Sequence, residues 1–187
     1  MGTERVVSRG LLGEIRKQFR LDWTGHHGFP HWARVYRHGM HVGRAIGADL
    51  RVVELFAFLH DSQRQNEHDD PGHGHRAAEY ASWLHAKGRF ELDREALALL
   101  MAACQGHSDG HLEADPTVMA CWDADRLDLG RVGIRPDPRR LCTLTARNDA
   151  YLERAWRRGL AHAERLRVSR RKAWYADESE MVRLGEF

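Results

Sequence analysis

Apolar side chains recur every three to four residues along almost the whole of this 187-residue chain. Nowhere do they alternate with polar ones for long enough to build a sheet. Period 3.6 is the mark of amphipathic helices packed on one another, and period 2 that of half-buried strands, so the chain is expected to be all-α. Leu11, Leu12, Ile15 and Phe19 mark a first helical stripe, and a Gly-, His- and Pro-rich loop, Thr24 to Pro30, follows it. His31–Leu50 reads as a helix with Val35, Val42, Ile46 and Leu50 on its buried side. The run Val52–Leu59 (VVELFAFL) is short enough for a buried strand, but no hairpin partner or turn flanks it, and a buried helix is the better reading. Asp70-Pro71 and Asp115-Pro116 each read as an N-cap followed by Pro in the first helical turn. The first would open a helix ending at Gly88, and the second one carrying Val118, Met119, Trp122 and Leu127. Between them Glu95–Cys104 is rich in strong helix formers. Pro136 and Pro138 interrupt the chain before a long Arg-rich helix over Asn148–Val168, with a further short helix expected in the last 15 residues. Six to nine helices in one domain are expected.

Composition narrows the function classes. A hydrophobic share of 42% and a charged share of 30% suit an ordinary globular chain. No stretch approaches the ~20 apolar residues of a membrane span, and the first residues lack the apolar core of a secretory signal, so a cytoplasmic protein without a membrane partner is expected. Cys104, Cys121 and Cys142 form no C-x-x-C pair, which removes zinc-ribbon and dithiol chemistry and leaves buried thiols. No Walker A or Rossmann glycine pattern is present, and neither Ser62, Ser108 nor Cys104 sits in a nucleophile motif. From Arg131 to Lys172 there are 13 basic and four acidic residues. At helical spacing these read first as a solvated helix face, with attraction of phosphates a secondary effect, and a nucleic-acid partner is not expected. Six tryptophans could stack a base, but Trp32, Trp83, Trp122 and Trp156 fall on apolar helix faces and read as core.

Thirteen histidines are the compositional outlier and call for a metal hypothesis. The adjacent pair His60-Asp61 closes the apolar run, placing an imidazole and a carboxylate where a buried helix emerges. A buried carboxylate without a partner costs several kcal/mol, and a divalent cation satisfies both side chains together. His31 and Asp125 are the candidates for completing a mixed N/O set, which suits Mn²⁺, Fe²⁺, Co²⁺, Ni²⁺ or Zn²⁺ and leaves room for water and substrate.

With GFPHWARV around His31, FAFLHDSQ around His60-Asp61 and WDADRLDLGR around Asp125, the chain resembles the HD-domain superfamily of metal-dependent phosphohydrolases. The resemblance spans about Gly25 to Arg135. It implies one HD-type helical domain over 1–187, with a metal-binding core at about 25–135 and an Arg-rich helical extension at 136–187. It also implies that His31, His60, Asp61 and Asp125 hold a divalent ion (Mn, Fe, Co, Ni, Zn or Mg), one per chain. Asp125 is preferred to Asp123 because the family places its ligand just before a basic residue, here Arg126. His73 and His107 fall where dinuclear members bind a second ion, though the GYP signature of one such branch is absent; they could instead hold substrate phosphates. Arg34 is a further candidate for a phosphate or for Asp61, or forms an ordinary ion pair. Asp61, Arg64 and Glu67 are the candidates for catalysis, with Asp69 or Asp70 as alternatives for the acid; Arg126 and Asp128 read as supports. The implied activity is hydrolysis of a small phosphorylated metabolite, most naturally a nucleotide, by metal-activated water. A cyclic (di)nucleotide phosphodiesterase with two metals, or a non-catalytic metal-binding signalling module, are the alternatives.

Overall fold

The computed structural model describes residues 5–184, with side chains described through residue 168. Seven α-helices follow in order: α1 Arg9–Gln18, α2 Phe29–Ile46, α3 Leu50–Leu59, α4 His73–Ala86, α5 Arg94–Gly106, α6 Pro116–Arg126 and α7 Asp149–Leu184. Two 3-10 turns, Leu129–Val132 and Pro138–Arg140, lie between α6 and α7. No strand occurs among the described residues. No helix there is long and apolar enough to cross a membrane.

Polar side chains start most of these helices. Ser8, Asp49, Asp93 and Asp115 each accept a backbone N–H of the first turn. The expected helix over His31–Leu50 is two helices: Gly47 turns left-handed (φ 73°) and closes α2, and Asp49 caps a new start at Leu50. Asp70 does not cap α4, which begins at His73. Its carboxylate is taken instead by the Arg76 guanidinium at 2.6 Å and the Gln65 N–H at 2.8 Å. The short helix expected near the C-terminus is the continuation of α7, which runs unbroken to Leu184.

α3 is the axis of the core. It packs against α2, α5 and α6, while α4 lies along α5 and α7 docks on the 3-10 turn at 129–132. Val52, Leu55, Phe56, Ala57 and Leu59 are fully buried, as expected for the apolar run. The one acid within it, Glu54, is buried too and accepts the N–H groups of Val6 and Val7. Trp32 and Trp122 belong to the core, whereas Trp83 is half exposed and stacks on Tyr80. Along the basic segment Arg154, Arg157 and Arg165 face solvent, as a solvated helix face requires, whereas Arg158 is half-buried.

Candidate metal centre

The end of α3 carries the first two groups. His60 caps the helix and Asp61 follows, both buried, because the apolar run brings the chain into the middle of the bundle before releasing it. His31, in the first turn of α2, places its Nε2 3.1 Å from His60 Nε2, 3.5 Å from Asp61 Oδ2 and 3.3 Å from Asp125 Oδ1. Asp125 reaches this point from α6. The other oxygen of Asp61 faces a second pair: Oδ1 lies 3.3 Å from His73 Nε2 and 3.7 Å from His107 Nε2. Those two nitrogens are 2.8 Å apart, His73 opening α4 and His107 closing α5. Two donor groups thus meet at one carboxylate: His31, His60 and Asp125 on one side of Asp61, and His73 and His107 on the other.

The tautomers follow from the outward-facing ring nitrogens. Nδ1 of His60 meets the carbonyl of Phe56, that of His73 the carbonyl of Asp70, that of His107 the carbonyl of Cys104, and that of His31 the carboxylate of Asp128. Each partner can only accept, so each Nδ1 carries a hydrogen and each ring, when neutral, turns a bare Nε2 lone pair inward. Four lone pairs and two carboxylates converging in a buried space form a cation site. Asp125 Oδ1 is buried there without a hydrogen-bond partner. These residues therefore fit a divalent ion on the chemistry of the donor set and on that orphaned oxygen.

The electrostatics run the same way. Burial pushes the His60 imidazole down to about 3, which keeps it neutral. Burial raises the Asp61 carboxyl, but protons on the rings around it, those of His60, His107 and His73, would hold it well below the usual carboxylate range, a role that a bound cation takes over from them. Burial likewise opposes ionisation of Asp125, and His31 and Arg131 more than reverse it. His107 moves the other way: burial lowers its affinity for a proton, yet Asp61 raises it above its ordinary value, so without a cation this ring is the one that supplies positive charge to the carboxylate.

Other expected residues are placed differently. Arg34 faces neither Asp61 nor the cleft; its Nε and Nη2 fork onto Asp128 at 2.6 and 3.0 Å, and Asp128 Oδ2 accepts from His31 Nδ1 at 2.7 Å. Burial raises the Asp128 carboxyl, but His31 and Arg34 hold it down at about 2. Arg34 and Asp128 therefore orient His31. Glu67 accepts a 2.6 Å hydrogen bond from His27 and does not line the cleft. Asp69 is exposed, and Asp70 is held by Arg76. Asp123 is buried away from the donor groups, accepting from the N–H groups of Cys142 and Thr143 and from the Thr143 hydroxyl. Arg64 sits at the site, with Nη1 3.7 Å from Asp61 Oδ1 and Nη2 donating to the His68 carbonyl. Two further histidines of α2 lie away from the donor groups: His38 is buried against the Tyr151 hydroxyl at 2.8 Å, and exposed His41 stacks on the Tyr151 ring.

Sequence reasoning missed Arg131 as a member of the site. It is buried, donates to the carbonyls of His26 and Asp128, and places Nη2 3.8 Å from Asp125 Oδ1. It stood in the basic count but carried no local signal, since only the turn at 129–132 aims it inward.

A cleft of about 830 Å³ opens onto these groups. Asp61, His73, His107 and Asp125 form one part of its lining, and Arg64, Arg126, Arg131, Arg135 and Arg140 supply the cations. Leu112, Leu129, Ile134, Pro136 and Leu141 supply apolar wall.

Among solved structures, the crystal structure of a predicted HD superfamily hydrolase from an uncultured Thermotogales bacterium superposes with a TM-score of 0.60. The two chains are 24% identical, over 86% of this chain and 91% of the other. The likeness is one of fold: this chain has the all-helical HD-domain fold. No protein-family model matches it, and no curated protein does either.

Proposed function

We propose that the protein is a divalent-metal-dependent hydrolase, and specifically a phosphohydrolase of small phosphorylated metabolites. The observation that carries the reading is the Asp61 carboxylate at the floor of an arginine-lined cleft, with one oxygen toward His31 and His60 and the other toward His73 and His107. His31, His60, Asp61 and Asp125 would hold the first ion; His73 and His107, sharing Asp61, would hold a second. A bound dication lowers the pKa of a water toward neutrality and neutralises charge on phosphoryl oxygens.

The chain's own residues do the rest. Asp128 and Arg34 hold His31 in the tautomer that keeps its Nε2 free. Phe56, Asp70 and Cys104 carbonyls do the same for His60, His73 and His107. Arg64 and Arg131, both lining the cleft beside the carboxylates, would hold the equatorial oxygens of the transferring phosphoryl group and stabilise their charge in the transition state. A proton for the leaving oxygen would come from solvent through the open cleft, since Glu67 is bound to His27.

An open cleft beside the donor groups favours an enzyme over a metal-binding signalling module, which needs no such space. The second donor group favours the phosphodiesterase alternative. A nucleotide base gains no stacking partner here, because no Trp, Tyr or Phe lines the cleft among the described residues. The substrate class is therefore a phosphate ester, of which nucleotides are one arm of the test. Metal analysis followed by a phosphate-release screen over sugar phosphates, nucleotides and cyclic dinucleotides is that test. His60→Ala and Asp61→Ala should each abolish metal-dependent turnover; substantial turnover in either variant rejects the assignment. His73→Ala should lower the metal content from two ions to one.

A further inference from the structure

Three arginines are buried among the described residues, and they are not equivalent. Arg64 and Arg131 each have a carboxylate oxygen within 4 Å, from Asp61 and Asp125 respectively. Arg126, the last residue of α6 and only 9% exposed, has none among the described residues. Its Nη1 donates to the Arg140 carbonyl at 3.1 Å and to Cys142 Sγ at 3.5 Å. The guanidinium lies 5.7 Å from the centre of the Trp122 ring. Its Nη2 is buried with no hydrogen-bond partner. Burying a cation with an orphaned N–H is costly unless an anion meets it, and a carbonyl, a thiol and an aromatic face only partly compensate. Arg126 lines the same cleft as the candidate metal ligands.

Position separates this cation from the reacting end. Neighbouring residues on a helix diverge by about 100°. Asp125 turns to His31, whereas Arg126 turns to Arg140 and Cys142, so the two address different parts of the cleft. Arg140 also lines the cleft and is exposed, with no ion pair among the described residues. Ile134, Pro136 and Leu141 supply apolar wall in the same segment. A cleft of about 830 Å³ far exceeds one phosphoryl group, given that a water occupies ~30 Å³.

We propose that the substrate carries two oxyanions: the phosphoryl group that is cleaved at the Asp61/Asp125 end, and a carboxylate or second phosphate bound by the Arg126 fork, joined by a short apolar spacer. This rests on the hydrolase reading for its first half only. The guanidinium's planar N–H groups suit either oxyanion, and the second one supplies the charge that Arg126 lacks.

Calorimetry on the full-length protein in Mn²⁺ tests it with three phosphonates, whose P–C bonds do not hydrolyse. These are butylphosphonate, the ω-phosphono carboxylic acid of the same chain length and the α,ω-bisphosphonate. One or both doubly anionic ligands should bind about tenfold tighter than butylphosphonate, as a charge-assisted hydrogen bond warrants, and the tighter of the two identifies the second group. Arg126→Met should reduce that ratio below about threefold. So should Arg126→Gln, which removes the charge but keeps a polar N–H donor at this position; it carries the comparison should the Met variant not fold. Equal affinities in the wild type, or a ratio that survives loss of the guanidinium, overturns the proposal. Failure of the hydrolase reading would appear instead as absent phosphate release in the screen, with the ratio intact.

Discussion

At the scale of single residues, the site depends on groups that never reach the cleft. Asp128 is fully buried and fixes which nitrogen of His31 faces inward. In Asp128→Asn the amide can present N–H to a ring nitrogen that already carries one, and Arg34 loses its counter-charge. Metal affinity should fall about 10–100-fold, as is typical for such supporting partners, and titration of metal into the chelated protein reads it. Unchanged affinity would remove Asp128 from this role. His38 makes a separate point, far simpler because it is not a candidate ligand. Burial lowers its imidazole from 6.5 to about 4, and its Nδ1 meets the Tyr151 hydroxyl. Between those two values the unfolded chain binds a proton that the folded chain does not. The stability from burying neutral His38 is therefore complete above pH 6.5 and is lost as pH falls toward 4. Urea unfolding of chelated protein at pH 6 and 5 should show wild-type stability falling more steeply than that of His38→Gln, by about 1 kcal/mol over that pH unit. Equal slopes would show that His38 does not titrate in this way.

At the scale of elements, close backbone approach sets the geometry. A Cβ at Gly74 would lie 2.5 Å from the carbonyl oxygen of Cys104 and 2.9 Å from that of Gln105, so α4 and α5 cross in contact at this point. One turn of each helix around that crossing carries His73 and His107. Gly74→Ala must push the helices apart or bend one of them. It should cost about 1–3 kcal/mol of stability and also lower metal content, because the gap between the two Nε2 atoms widens. Denaturant titration and metal analysis read the two effects, and a variant as stable as wild type would mean that the crossing relaxes freely. The same device docks α7: a Cβ at Gly130 would meet the Trp156 carbonyl at 2.6 Å, and one at Gly159 would meet the backbone of Gly130 at 2.8 Å. α7 thereby braces the 129–132 turn, and with it Arg131.

For the whole molecule, six candidate ligands drawn from α2, α3, α4, α5 and α6 make the metal a cross-link of the bundle. An ion that binds the folded chain alone adds stability by mass action, about 3–4 kcal/mol at 100 to 1,000 times Kd. Chelation should accordingly lower Tm by several degrees, and Mn²⁺ or Zn²⁺ should restore it; a Tm indifferent to chelator would argue against a resident ion. Charge is also organised at this scale. Arg131, Arg135 and Arg140 of the basic segment meet the cleft, whereas Arg154, Arg157 and Arg165 face solvent, with Arg157 paired to Glu153.

Local chemistry determines local structure, and that much was legible in the sequence. The helical class, the Asp115-Pro116 start, the buried run of α3 and the emergence of His60-Asp61 from it all follow from periodicity, capping and turn chemistry within a few residues. The three histidine-and-aspartate segments could be singled out, since the chemistry of a buried carboxylate demands a partner. What stayed hidden is whatever depends on direction in space. Asp70 reads as a cap until Arg76 and Gln65 claim it; Arg34 reads as a phosphate ligand until Asp128, 94 residues away, takes its fork. Arg126 and Arg131 differ from the other arginines only in where the end of α6 and the turn after it aim them. A side chain's type is set by the sequence, but its partner is set by which helices cross and at what rotation, and only the folded bundle decides that.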